Sequence, residues 1–495
     1  MAQEVGKGVG RGEVLLRGLP AAKGAGHEMS DFTFTRSLRI ARPAAEVFAW
    51  HERPGAFERL APPWQKLRLL ARSGGIRDGA KVSLLARIGP LWARWDVEHR
   101  DYAQGVQFRD VQLRGPFARW EHLHRVESVE DGRACVLTDA ITYRLPFGPF
   151  GRLGRGFVRG ELERLFDYRH AITKADIEGA ARYLSVKPMT FLIAGSSGLV
   201  GRSLTAFLTT QGHTVVRLVR RATAAPDEVF WNPATGEIAP GALRGVDVIV
   251  NLSGAGIADA RWSAARKQEI LLSRVDGTRT LVSAIGAGRN ERHRPFVLIS
   301  ASAIGVYGDR GDDMLTEDSA TGDGFLADVC IDWEKAAVAA EALGVRVVAL
   351  RTGVVLTPAG GALARLLPLF KAGLGGRLGD GRMWMSWISL DDLVGAIYHA
   401  VLDQRCRGPV NAVAPNPVTN VEFTRTLARV LRRPALLPAP KAALRLALGE
   451  MADELLLAST RVLPGVLKEA HYGFRHENLE DALRAGLGRA SSTHP

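Results

Sequence analysis

The chain predicts two modules: an α+β unit over residues 30–180, then a doubly wound α/β unit with a parallel sheet over 189–415, joined by a linker at 181–188. A small helical lobe on the substrate side follows over 416–490. Three observations predict this. From residue 190 onward, short apolar runs alternate with amphipathic helix patterns. Glycines recur three apart directly behind the first of those runs. Ahead of them, a series of alternating strand-like runs closes on one long helical pattern.

In the first module, residues 32–40 alternate as a strand, and Pro43 sits near the first turn of a helix reaching Trp50. Strand-like runs follow at 81–87, 93–99, 106–113 and 134–143, many with aromatic or β-branched residues on one face. A helix of about five turns is expected over 154–173, with Val158, Leu162, Leu165, Phe166 and Ile172 on one stripe. His122 and His124 alternate on one strand with Trp120. A metal there would need a third ligand that spacing does not supply, so they read as ordinary strand residues and no metal site is expected.

In the second module, strands are expected at 191–194, 214–219, 246–252, 296–300 and 345–351, with helices beginning near Leu199, Trp262, Phe325 and Val394. The run Phe191-Leu192-Ile193-Ala194 turns into a helix through Gly195, Ser196, Ser197, Gly198, Leu199, Val200 and Gly201. Gly195 permits the tight turn, Gly198 lets the backbone approach a phosphate, and Gly201 lets helix and strand pack closely. The free N–H groups of Ser197 to Val200 then face an anion at the helix N-terminus. This predicts a Rossmann-type dinucleotide site. An NAD site would place an acid on the ribose about 20 residues later. Here the second strand ends Val219-Arg220-Arg221 instead. A guanidinium suits the 2′-phosphate of NADP, so NADP is expected, with Arg220 as its contact and Arg221 in reserve.

Composition narrows the remaining classes. The chain carries a net charge of +13, unevenly: 31 Lys/Arg against 22 Asp/Glu before Thr190, and 34 against 30 from there on. The arginines are scattered, and no helix-turn-helix, zinc-finger or RNA-binding signature accompanies them, so nucleic acid is not an expected partner. No apolar run is long enough to cross a bilayer, and stable membrane insertion is not expected. Cys135, Cys330 and Cys406 match no metal or disulfide spacing, which fits a reducing cytoplasm. Residues 1–29 are Gly- and Ala-rich and read as disordered, or as a start preceding a true first residue at Met29.

The order strand, short helices, curved antiparallel sheet, long C-terminal helix, together with Gly115-Pro116-Phe117-Ala118-Arg119-Trp120-Glu121-His122 and Phe166-Asp167-Tyr168-Arg169-His170, resembles the helix-grip domains of the START-like (SRPBCC) superfamily of polyketide cyclases and coenzyme-Q-binding proteins. That resemblance implies an apolar cavity and a hydrophobic small molecule.

Residues 190–490 resemble the extended short-chain dehydrogenase/reductases, and most closely their NAD(P)-dependent epimerase-like subgroup with a C-terminal helical extension of unassigned role. The resemblance rests on Asn251-Leu252-Ser253-Gly254, Ser273-Arg274-Val275-Asp276-Gly277-Thr278, Ser300-Ala301-Ser302-Ala303-Ile304-Gly305-Val306-Tyr307-Gly308, Arg351-Thr352-Gly353-Val354-Val355-Leu356 and the segment 384–393, in that order. It implies that Val219 and Arg220 meet the adenosine end, that Leu252 and Ser253 line the cofactor groove, and that Glu269, Arg274 and Val355 lie nearby.

One departure stands out. The superfamily's Tyr and Lys, four apart on one helix face, exchange a proton with substrate. Here Lys335 has Ile331 at the Tyr position. Ser302 and Tyr307 become the candidate catalytic residues, with Ser300, Cys330, Glu334 and Lys335 as further substitutes. Asp391 reads as the cap of a helix starting at Leu393. The expected activity is hydride transfer between NADP(H) and a hydrophobic carbonyl or alcohol, as oxidoreductase or epimerase. The alternative is a non-catalytic NADPH- and lipid-binding sensor or carrier.

Overall fold

Seven antiparallel strands form the first sheet of this computed structural model, which describes residues 31–89, 91–183, 186–288 and 295–489. The expectation for residues 1–29 lies outside the described residues. The strands are β1 (Phe32–Ile40), β2 (Leu67–Arg72), β3 (Lys81–Ile88), β4 (Leu91–Ala103), β5 (Gln107–Arg114), β6 (Arg119–Val129) and β7 (Ala134–Arg144), in the order β1-β7-β6-β5-β4-β3-β2. Helices α1 (Ala44–Glu52) and α2 (Ala56–Leu60) follow β1, and α3 (Arg155–Ala180) grips the sheet. Phe166 of α3 meets Phe34 of β1 with ring centroids 5.5 Å apart. This is the helix-grip architecture.

Helix α3 is two turns longer than the apolar stripe predicts. Asp176 and Ile177 continue its buried face. A buried aspartate is tolerable there because Arg59 and Arg475 both bind it: Arg59 Nε at 2.7 Å and Arg475 Nη2 at 2.8 Å.

The second sheet is the doubly wound one. It contains β8 (Thr190–Ala194), β9 (Thr214–Val219), β10 (Glu228–Asn232), β11 (Glu237–Ile238), β12 (Val248–Asn251), β13 (Val297–Ala303), β14 (Arg346–Thr352) and β15 (Gly408–Ala412). Their order is β11-β10-β9-β8-β12-β13-β14-β15, and all neighbours are parallel except β10 and β11. Helices α4 (Leu199–Thr210) and α8 (Leu390–Leu402) cover one face; α5 (Ala264–Ala287) and α6 (Phe325–Val338) cover the other. Between α6 and α8 lies α7 (Gly361–Lys371). Burial on both faces explains the near-continuous aliphatic strands. The strand order reverses at β8, which opens a crevice between β8 and β12 at their carboxyl ends.

The two sheets share a tight seam. Gly55 lies so close to α4 that a Cβ there would stand 2.4 Å from the Ala206 carbonyl oxygen. Arg59 joins Asp176 of α3 to Asp391, whose Oδ1 accepts from Nη1 at 2.8 Å. This corrects the expected role of Asp391. Helix α8 starts at Leu390, one turn earlier than expected, and Ser389 caps it by accepting from the Asp392 N–H at 3.0 Å. Asp391 therefore lies inside the first turn, free to hold Arg59. Among the described residues no helix is long and apolar enough to cross a membrane.

Candidate functional site

The turn after β8 is built as an anion cradle. Gly195 has φ +80°, which favours glycine, and a Cβ there would lie 2.7 Å from the Leu252 carbonyl. At Gly201 a Cβ would come within 2.2 Å of the Gly195 oxygen, so only glycine lets α4 dock against the turn. Helix α4 begins at Gly198, and no side chain caps it. The Gly198 N–H is spent on the Gly195 carbonyl at 3.0 Å, but the first N–H groups of the helix, with that of exposed Ser197, are left for a ligand. Leu199 and Val200 are half-buried; Leu199 lies against Gly360, just ahead of α7.

At the end of β9, Val219 is half-buried and Arg220 is exposed, its side chain with no hydrogen bond or ion pair among the described residues. Arg221 is engaged instead: its Nη1 and Nη2 reach Glu228 at 2.8 and 2.6 Å. Of the two arginines, Arg220 alone is available to a phosphate.

Across the crevice, Leu252 and Ser253 are half-buried, and the Ser253 hydroxyl donates to Asn251 Oδ1 at 2.6 Å. Asn251 Nδ2 donates in turn to Thr278 at 2.9 Å, as does the Trp333 indole. Arg274 of α5 is 7% exposed and stacks on Trp333 at 5.2 Å. It donates to the Ile270 carbonyl at 2.9 Å and has no carboxylate partner among the described residues. Burial pushes its pKa down. A buried cation without an anion, against Gly254 of the groove, suits an anionic ligand. Glu269 is exposed and pairs with Arg266, which also donates to the Gly256 carbonyl in the loop after β12. Val355 is half-buried, behind Gly361.

The candidate catalytic residues meet in one buried network. The Ser302 hydroxyl donates to Glu334 Oε1 at 2.6 Å. Arg351 grips the same carboxylate through Nε at 2.9 Å and Nη2 at 2.8 Å, and its Nη1 donates to the Tyr307 oxygen at 2.9 Å. That phenol also lies 3.0 Å from the Thr316 carbonyl and 2.8 Å from Asn411 Oδ1. Tyr307 is fully buried, and burial raises its pKa. Ser300 is also buried, and its hydroxyl has no partner. Ile331 is partly buried against the cluster around Tyr307, while Lys335 is exposed. Burial lifts the Cys330 thiol to about 11, so it stays protonated. Glu334 and Arg351 form the core of the network. Arg351 carries a sequence signal as the first residue of a resemblance motif that closes an aliphatic strand; nothing local links Asn411 to it.

Comparisons with known proteins agree with this fold. Residues 191–412 match the NAD dependent epimerase/dehydratase family, residues 31–177 match polyketide cyclase/dehydrase and lipid transport, and residues 439–485 match a domain of unknown function, DUF1731. An epimerase family protein of Mycobacterium bovis is 49% identical over 292 residues, 59% of this chain and 95% of that protein. The nucleoside-diphosphate sugar epimerase from Corynebacterium glutamicum has a similar structure: TM-score 0.74, 36% identity, 92% of this chain and 90% of that one. Human epimerase family protein SDR39U1, solved with NADPH, shows TM-score 0.55 and 30% identity over 60% of this chain and 99% of that one.

Proposed function

This chain belongs to the epimerase family, and from that premise we propose that it binds NADP(H) at the β8–α4 turn and uses it on a carbonyl or alcohol carbon of a hydrophobic small molecule. The observation that carries the cofactor choice is the contrast at the end of β9: Arg221 is tied to Glu228 while Arg220 stands unpaired, and no acid takes the ribose position. The N–H groups of Leu199 and Val200 hold the diphosphate, Arg220 the 2′-phosphate, and Arg274 a second anionic or ribose oxygen. Val219, Leu252, Ser253 and Val355 shape the groove. When bound, the nicotinamide gives or takes the hydride.

Proton handling falls to Ser302. Its O–H is spent on Glu334, so its lone pairs are free to accept from a substrate hydroxyl, with Glu334 as the final acceptor. Tyr307 is a positioning residue: it holds Arg351, and Arg351 holds Glu334. The match of residues 31–177 to polyketide cyclase/dehydrase and lipid transport supports a hydrophobic substrate.

Titration calorimetry on the full chain tests the first half: NADPH should bind at least ~10-fold more tightly than NADH. Loss of reduced-nicotinamide absorbance across a panel of ketones tests the second. There Ser302→Ala should lower turnover by about 10²–10⁴-fold with NADPH binding intact. Silence in calorimetry with both dinucleotides sinks the reading. A second reading, a protein that binds NADPH without turnover, is favoured by Ile331 at the tyrosine position; tight binding with no turnover by any ketone would establish it.

A further inference from the structure

The inward face of the N-terminal sheet is apolar except for one band. On β6 the inward residues are Trp120, His122, His124 and Val126; on β7 they are Leu137, Asp139, Ile141 and Tyr143. Register places His124 opposite Asp139, Asp110 of β5 opposite His122, and His99 of β4 opposite Asp110. Helix α3 closes the band with His170. It divides the interior into two apolar clusters, one around Trp50 and Phe108, the other around Trp120 and Phe166. His99, His122, His124, Asp139 and His170 are each more than nine-tenths buried. Neither aspartate pairs with a lysine or arginine; among the described residues only imidazoles meet them. Such a band, costly to bury, calls for a chemical reason.

The hydrogen bonds sort it into two layers. Asp139 Oδ1 accepts from His122 Nε2 at 2.9 Å, while His124 Nδ1 stands 2.7 Å from the same oxygen outside hydrogen-bond geometry. Asp139 Oδ2 takes His170 Nε2 at 2.7 Å. A neutral imidazole that donates from one nitrogen presents a bare lone pair on the other. That nitrogen of His122, Nδ1, and His124 Nε2 both face Asp110 Oδ2, at 3.8 and 3.5 Å. Three ligand-type atoms thus converge on one point, and the His122 lone pair there meets a carboxylate oxygen, which can donate nothing. These distances exceed a hydrogen bond. They are close to the ~3.4 Å that separates two ligands 2.1 Å from one tetrahedral metal. One ligand atom from each of Asp110, His122 and His124 lies within 4.8 Å of the others. His99 Nε2 stands 3.2 Å from the second oxygen of Asp110 and orients it.

We propose that Asp110, His122 and His124 bind a divalent transition-metal ion of the zinc class, with Asp139 and His99 positioning the ligands from behind. A carboxylate behind each ligating imidazole is the usual support of such sites. Spacing along the sequence missed it because the third ligand comes from the neighbouring strand. Three protein ligands leave a coordination position for water or a ligand oxygen, as in open zinc sites. The Asp110 side chain keeps 23% of its exposure and gives the ion a way in.

The test uses the tag-free full chain, stripped with chelator and titrated with Co²⁺. The expected result is a visible d–d spectrum that saturates near one ion per chain, and about one zinc per chain by mass spectrometry after zinc dialysis. Asp110→Asn removes the anionic ligand but keeps its shape, and should abolish the saturable spectrum. Asp139→Asn leaves all three ligands and should weaken binding about 10- to 100-fold. Near-UV circular dichroism on the same preparations reports that the chain is folded. The proposal is overturned if the folded wild type gives no saturable Co²⁺ spectrum, or if both variants titrate like the wild type; either result stands whether or not NADPH binds.

Discussion

The two halves of this molecule place buried polar groups in opposite ways. In the doubly wound half they gather at the carboxyl ends of strands: Asn251 ends β12, Ser302 lies near the end of β13, and Arg351 near that of β14. The strand middles are aliphatic, as in Leu192-Ile193, Ile249-Val250 and Val347-Val348. In the helix-grip half the polar groups stand in mid-strand, at His122, His124 and Asp139. The reason lies in the layers. A parallel sheet covered by helices on both faces has room for chemistry only beyond its strand ends. An antiparallel sheet gripped on one face can carry it on any inward position. The charge balance differs too. At the strand ends Glu334 is matched by Arg351. The mid-strand band has two carboxylates and only imidazoles to meet them.

Breaking the matched pair should be the largest effect. Glu334→Ala leaves Arg351, 6% exposed at its side chain, without its anion. We expect a loss of about 3–5 kcal/mol in urea unfolding. Unchanged stability would mean that the strand-end network carries no more charge burden than a surface pair. Gly201→Ala attacks the backbone instead. A Cβ 2.2 Å from the Gly195 oxygen cannot be absorbed without shifting α4. The expected result is about 1–3 kcal/mol of destabilisation and loss of NADPH binding in calorimetry. Wild-type affinity in this variant would remove the anion cradle from the account.

Tyr307→Phe sharpens the comparison by separating positioning from chemistry. It removes a buried hydroxyl that Arg351 and Asn411 contact. We expect about 1–2 kcal/mol of lost stability with NADPH affinity intact. Turnover should fall far less than in Ser302→Ala; an equal fall would return Tyr307 to the reacting atoms. Arg220→Ala should weaken NADPH binding about tenfold and leave NADH unchanged. Parallel loss of both would point to a misfolded β9 end rather than a 2′-phosphate contact. The smallest effect is a null. Burial raises all three thiols to about 11, so at pH 8, well below that value, each stays protonated. Ellman's reagent should titrate no thiol in the native protein and all three after unfolding.

Local pattern carried much of the architecture. The aliphatic runs before Gly195, Asn251 and Ser300 were legible as parallel strands because burial on both faces leaves no polar positions in them. The glycine spacing was legible because a Cβ is forbidden at Gly195 and Gly201. Short strands such as β10, β11 and β15 were not: they are partners of longer neighbours, and pairing is a non-local fact. Helix α3 outran its apolar stripe because Arg59 and Arg475 make Asp176 a buried residue. Asp391 could not be distinguished from a cap until Arg59 came into view.

The sequence by itself determined the two modules, the dinucleotide turn and the arginine end of β9, since each depends on residues within a few positions of one another. Only the tertiary structure decided which arginine is free, that Ser302 and Tyr307 share one network through Glu334 and Arg351, and that Asp110 completes a set with His122 and His124. Those outcomes depend on strand register and helix docking, which bring together residues as far as 44 positions apart, as Arg351 and Tyr307 are.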